Sequence, residues 1–289
     1  MPAYNSERWI GEAIDSVLGQ TYRDLELVIC DNASTDATSQ ICRAYAARDP
    51  RVRYYRNPEN LGVYENYNRV FRYAVGEYFK WASSNDVCAE RFIERCVEVL
   101  DARTDVVLCC GRTALIGERI SEFSDYDDRL DLQDSSPCAR LRQFLEEIRL
   151  NNVFNGVVRR EILGRTGLLR AYSASDIPLF AELALRGKFV QLKERLFFRR
   201  MTAETATKLA TAERLREYQG PQASARMLFQ HWKLGFGYLG AVTRAPLTIH
   251  ERACAYRRVL RELVWSRRKL AADLYDALCS LFVRVRHSA

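Results

Sequence analysis

Histidine is scarce in this chain of 289 residues: His231, His250 and His287 are the only three, and all lie late. No CxxC pair and no Cys/His cluster occurs, which argues against a zinc site. Nine cysteines are present, an odd number. Cys30, Cys42, Cys96, Cys109, Cys110 and Cys254 fall at apolar positions inside expected strands and helices. They read as reduced core residues in a reducing compartment rather than as a disulfide framework. No run approaches the roughly 18 apolar residues that a membrane span needs. The first apolar residues are interrupted by Asn5, Glu7 and Arg8, so no signal-peptide pattern is expected. Internal repeats, low-complexity tracts and nucleic-acid-binding motifs are also missing.

What is present is ordinary for a globular protein: 48% hydrophobic and 28% charged residues. The core can be large enough to need no staple. The net charge of +7 is unevenly placed. Residues 251–289 carry nine Lys/Arg against four Asp/Glu, so the tail holds most of the basicity.

Strand and helix patterns alternate through the first 110 residues. Helical spacing of apolar residues covers 6–19 (Trp9, Ile10, Ala13, Ile14, Val17, Leu18). "LELVIC" (25–30) and "VRYYR" (52–56) read as strands, and "YFKWA" (78–82) as a third. Helices follow each of them, and a strand is expected over 105–110. The pattern predicts an α/β fold with a Rossmann-like, mostly parallel sheet flanked by helices. In such sheets ligands bind beyond the carboxyl ends of the strands. The polar loops "PAYN", "DNAST" and "SSND" all fall at that edge. Residues 117–136 are acidic and irregular and read as a flap. Helix is expected over 137–149, then strand at "NVFNGVVRR". "SDIPLFAELALRGKFVQLKERLFFRR" reads as loop, helix and two strands. From about Thr202 the pattern is helical, with breaks near Gly220, Pro221 and Pro246.

Individual polar residues admit two readings. Asp31 could accept a hydrogen bond from a nucleobase imide or serve as a turn aspartate. Asn60 and Gly62 could let the backbone pass close to a ribose. Asp86, with Asn85 beside it, could hold a divalent cation against a diphosphate or cap a helix. Asp176 could be a general base or an N-cap. Arg199 and Arg200 could meet phosphate charge or be solvated.

The order of these segments is more specific than any one of them. "PAYN", "ERWIGEAIDSVLGQTY", "DLELVICDNASTDAT", "NPENLG" and "GEYFKWASSND" resemble family 2 glycosyltransferases with a GT-A fold over residues 2–100. The resemblance continues more loosely to about residue 200. It implies inverting transfer of a sugar from a nucleoside-diphosphate-sugar, UDP-linked by family frequency, to a glycan, lipid-linked or small-molecule acceptor. It also implies a GT-A domain over 1–201, with a nucleotide-sugar half to about 110 and an acceptor half after it. A basic helical extension would then cover 202–289. By position, Pro2, Ala3, Tyr4 and Asn5 would line base and ribose, with Asp31 on the base and Asn60 nearby. Asn85 and the two arginines would face the donor. Asp86 would hold Mn²⁺ or Mg²⁺, and Asp176 would be the catalytic base. The family often has aspartates where Ser83 and Asn85 stand, and a histidine soon after the final strand, where this chain has Met201. These departures keep open a donor-binding or scaffold protein with an impaired site. A sugar-phosphate nucleotidylyltransferase is disfavoured, because "PAYNSERW" lacks the Gly-rich basic loop it would need.

Two further expectations concern the ends. In the family an apolar strand precedes the PAYN-like loop, and here only Met1 does, which suggests a missing strand. The aromatic and basic tail suggests packing on the catalytic domain, a homodimer contact, or peripheral contact with an anionic membrane, with the protein cytoplasmic or at the inner membrane face.

Overall fold

The structure is a computed structural model that describes residues 1–202, 229–275 and 277. The chain begins with a βαβαβ unit. Strands β1 (Pro2–Ala3), β2 (Leu27–Asp31) and β3 (Val52–Arg56) pair in parallel in that order. Helices α1 (Ile10–Leu18) and α2 (Thr38–Arg48) make the crossovers that parallel pairing requires. Pro2 pairs with Cys30, and Asp31 with Arg56. β1 is thus a two-residue strand next to β2, and Met1 is buried behind it. The apolar face of α1 (Ile10, Ala13, Ile14, Val17) packs on Leu27, Ile29 and Val52 in a small core of its own. α3 (Val63–Tyr73) follows, entered through Gly62 at φ 82°, a left-handed conformation that only glycine adopts without strain.

The expected continuation of one parallel sheet is replaced by a second, mixed sheet. It contains β4 (Tyr78–Phe79), β5 (Val87–Cys88), β6 (Val106–Ile116), β8 (Val157–Arg159) and β9 (Lys188–Arg200), in the order β4-β8-β6-β9-β5. β7 (Phe123–Tyr126), inside the acidic segment expected to be a flap, pairs with β6. "YFKWA" supplies only a two-residue strand. After Phe79 its groups find other partners: Lys80 Nζ donates to Asn155 O at 2.6 Å, and the Trp81 indole N–H to Tyr67 O at 3.1 Å. The first half of "NVFNGVVRR" is a 3₁₀ turn, Asn152–Asn155, and the two strands expected at 188–200 are one bulged strand.

Helices α4 (Phe92–Ala102), α5 (Pro137–Glu147), α6 (Arg160–Gly164) and α7 (Asp176–Arg186) flank this sheet. α7 is buried almost all round, which its run of apolar residues permits. Further along the chain, α8 (Gln230–Arg244) packs on α7, and α9 (Ile249–Trp265) on α5. Val242, Ala255 and Val259 share one core with Phe144, Phe180 and Trp81. The described part of the tail is therefore joined to the second sheet and its helices through that core. The helix breaks expected near Gly220 and Pro221 lie outside the described residues.

One cysteine expectation is corrected. Cys254 is not a reduced core thiol; it is bonded to Cys138 across α5 and α9, with Cα atoms 6.2 Å apart. The two are 116 residues apart, and only helix packing brings them together. Cys30, Cys42, Cys88, Cys96, Cys109 and Cys110 are buried free thiols.

Candidate active site

Asp31 ends β2 with its side chain fully buried. Its Oδ1 accepts from the Ser34 amide at 2.9 Å, and its Oδ2 from Tyr54 Oη and Arg56 Nη1, each at 2.8 Å. The turn reading is met, since Asp31 closes a turn through the Ser34 amide, and the side chain also anchors Arg56 at the strand edge. The PAYN loop is tied to the same turn. The Asn5 amide donates to Ser34 Oγ at 3.0 Å, and Asn5 Oδ1 accepts from the Thr35 amide at 2.9 Å. Asn5 pays for this with a left-handed φ of 43°, which asparagine tolerates better than most residues. Ser6 Oγ reaches Ser84 Oγ at 2.8 Å, linking this loop to the SSND segment. Asn60 Oδ1 accepts from Asn32 Nδ2 and from the Gly62 amide, each at 2.8 Å. Pro2 and Ala3 lie in β1 and are buried; Tyr4 follows them into the loop.

The SSND segment leads into β5, whose antiparallel pairing sets Val87 opposite Phe198. Asp86 therefore lies beside the end of β9, and its Oδ1 accepts from the Arg200 amide at 2.8 Å. Successive side chains of a strand point to opposite faces, and the two final arginines part accordingly. Arg199 Nη1 donates to Asn152 Oδ1 at 2.6 Å on the site face. Arg200 is fully buried on the other. Its Nε donates to Asn85 O (2.9 Å), its Nη1 to Gly117 O (2.8 Å) and Glu118 O (2.9 Å), and its Nη2 to Glu12 (2.5 Å). Its guanidinium also covers the Trp9 ring at 3.8 Å. Arg200 is neither solvated nor available to phosphate, so the donor-facing role expected of it is corrected to a structural one. Asn85 meets it through its backbone carbonyl.

Arg199 acts on three carboxyls, the buried Asp86 and Asp128 and the partly buried Asp176. Burial pushes Asp86, Asp128 and Asp176 above the usual carboxylate range, and the charge of Arg199 opposes the rise in each. Asp176 opens α7, and its Oδ2 accepts from Asn151 Nδ2 at 2.7 Å. Asn152 Nδ2 donates to Asp128 Oδ1 at 2.5 Å while its oxygen holds Arg199. The pair Asn151–Asn152 thus joins the expected base to Arg199 and Asp128. Sequence reasoning missed Asn151, Asn152 and Asp128. Asn152 opens the segment read as strand, Asn151 falls between it and the expected helix, and Asp128 lies in an acidic run where nothing distinguishes it from its neighbours.

Asp86 offers a hard oxygen of the kind Mg²⁺ and Mn²⁺ prefer. No group of three His, Cys, Asp or Glu side chains able to hold a metal occurs among the described residues. A cation here would fit as a one-carboxylate site, completed by diphosphate oxygens and water.

The model of glycosyl transferase family 2 matches residues 1–164, more than half of the chain. The chain belongs to this family. Among curated relatives, the putative glycosyltransferase EpsE of Bacillus subtilis is 35% identical over 102 residues, 35% of this chain and 37% of EpsE. Chondroitin synthase of Escherichia coli is 36% identical over 113 residues, 39% of this chain and 16% of that protein. The match to these relatives thus spans little more than a third of their length at most. The fold is that of S. aureus TarS residues 1–349 in complex with UDP, with a TM-score of 0.63 at 16% identity, covering 92% of this chain and 71% of that one. The same protein in complex with UDP-GlcNAc gives a TM-score of 0.63. The GT-A fold expected from the motif order is therefore present, with family 2 membership.

Proposed function

We propose that the chain transfers a sugar from a nucleoside-diphosphate-sugar to an acceptor hydroxyl by a single inverting displacement. The observation that carries this is the convergence of Asp86, Asp128 and Asp176 about Arg199, at the edge where the Asp31 and PAYN loops meet. The two loops would hold the nucleoside. UDP is the favoured carrier, because the fold is shared with a protein solved with UDP and UDP-GlcNAc.

In this reading the acceptor oxygen attacks the anomeric carbon from the face opposite the diphosphate. The C–O bond forms as the bond to the leaving phosphate oxygen breaks. Asp176 takes the hydroxyl proton. Burial suits it to that task, since a base is most effective when its pKa is raised toward the working pH. Asn151 fixes the carboxylate's orientation through its amide. Arg199 faces the leaving diphosphate, where negative charge builds, and gains force from being partly withdrawn from water. Asp86 would hold Mn²⁺ or Mg²⁺, which would supply further charge stabilisation to the diphosphate. No enzyme nucleophile is required.

The acceptor would be a glycan or a lipid-linked sugar. Contact with an anionic membrane fits α9, where Leu260, Val264 and Trp265 are exposed beside Arg257, Arg261 and Arg268. The companion reading is a donor-binding protein with an impaired site, favoured by Ser83 and Asn85. A panel of nucleotide-sugars with Mn²⁺, assayed for transfer and hydrolysis in wild type and Asp176→Asn, decides between them. Turnover by wild type and its loss in the variant are expected. Tight donor binding without turnover in either protein would leave the companion reading.

A further inference from the structure

A cavity of about 260 Å³ lies between the 168–179 segment and α8. Its wall includes Ser175, the residue before the expected base, and Tyr172, on which the Asp176 charge acts. Three cationic side chains line it: Arg170, Lys233 and Arg244. One acid, Glu182, does so as well. That carboxylate is fully buried and already compensated. Arg244 donates to its Oε2 from two nitrogens, at 2.7 and 3.0 Å, and Arg186 to its Oε1 at 2.8 Å. Asp273 acts on Lys233 but is itself bonded to His231 Nδ1 at 2.9 Å. With Arg186 counted among the cations, and Glu182, Asp273 and the neighbouring Asp176 as the acids, four cations face three carboxyls and the cavity keeps a small surplus of positive charge. Apart from Ser175 the rest of its wall is apolar or aromatic, with buried Tyr172 and exposed Phe236.

The roof is built to sit close. At Gly237 an added Cβ would lie 2.4 Å from Tyr172 Oη and 2.9 Å from Pro178 Cγ, so only glycine lets α8 approach the segment before the base. An apolar pocket with a few convergent charged groups is the usual form of a small-molecule site. Here cations outnumber the one lining acid, Glu182, which Arg244 and Arg186 already pair, and guanidinium and ammonium groups recognise oxyanions.

We propose that this cavity binds an anionic group, phosphate or carboxylate, carried by the acceptor sugar, and so sets the acceptor next to Asp176. The proposal rests on the glycosyl-transfer reading for the word acceptor, but the site itself does not. The C-terminal helices then have a role in acceptor choice: α8 supplies Lys233, Arg244 and the exposed Phe236.

The test uses the full chain and equilibrium binding of three probes: glucose 6-phosphate, glucuronate and neutral glucose. Wild type is expected to bind at least one charged sugar tenfold or more tightly than glucose, with affinity falling as salt rises. The charge reversal Arg170→Glu/Lys233→Glu should weaken that binding at least tenfold while leaving UDP binding unchanged. The milder Arg170→Gln/Lys233→Gln serves if the reversal lowers the melting temperature. Preference for glucose 6-phosphate assigns a phosphate-bearing acceptor, and preference for glucuronate a uronic one. Charged sugars that bind no better than glucose, or binding indifferent to both double variants, overturn the proposal. Binding of an anionic sugar by a chain that binds no nucleotide would support the site and overturn the glycosyl-transfer reading instead.

Discussion

Arg199 and Arg200 are adjacent and chemically identical, and the structure gives them opposite consequences. Arg200→Leu keeps most of the volume and removes the donors. The carbonyls of Asn85, Gly117 and Glu118 lose their partner, as does Glu12. Each buried acceptor left without a donor costs about 1–3 kcal/mol. Glu12 is 40% exposed and can turn to water, so it adds little. With relaxation and water entry the total comes to about 3–5 kcal/mol, the range found when one partner of a buried ionic group is removed. At about 2–4 °C per kcal/mol the melting temperature should fall by about 6–20 °C. Arg199→Leu removes a half-buried group bonded to Asn152, worth about 1 kcal/mol and a few degrees. Its cost should fall on catalysis instead, about 10²- to 10³-fold in kcat, the scale for losing a preorganised charge or donor at the developing negative charge. Residual activity should show an acid limb moved to higher pH, because Arg199 no longer holds down the Asp176 carboxyl. Thermal melts and steady-state transfer assays of both variants are sufficient. A large stability loss in Arg199→Leu, or a well-folded Arg200→Leu that loses transfer, would refute the division of roles.

Burial raises the Asp176 carboxyl, so the native state binds its proton more tightly than the unfolded chain does. At neutral pH the ionised group therefore costs stability, and Asp176→Asn should melt at the same or a higher temperature while losing transfer. The gain should shrink as pH falls below the native pKa and be gone at the ordinary carboxylate value, and the acid limb of wild-type kcat/KM should lie above the ordinary carboxylate range; a limb at that range sinks the assignment. The Cys138–Cys254 bond closes a long loop, so reduction should lower stability by about 2–5 kcal/mol in urea titrations, with Cys254→Ser equally destabilised and insensitive to reductant. Equal stability with and without reductant counts against the bond. Replacing Leu260, Val264 and Trp265 by serine should reduce co-sedimentation with phosphatidylserine vesicles. Unchanged co-sedimentation removes the membrane contact.

Much of the fold was legible because hydrophobic spacing is local. The helical periodicity of 10–18 and the apolar run at 27–31 state their burial directly, and the crossovers then require parallel pairing. The loops at the strand ends followed from that topology, which is why Asp31, Asn5 and Asp86 could be placed at one edge. Less was legible where a segment's partners are distant. "YFKWA" reads as a full strand, but Lys80 and Trp81 bond to Asn155 and Tyr67 instead.

The sequence alone determined the order of elements, the family-like motif order and the presence of Asp86, Asp176 and two arginines as chemical candidates. It could not decide which arginine faces the site, because both fit a strand end and only pairing with β5 and β6 sets the facing. Nor could it join Asn151 to Asp176, 25 residues on, or Cys138 to Cys254 across 116 residues. Those links depend on how helices and sheets pack, and packing is fixed by contacts that local patterns do not encode.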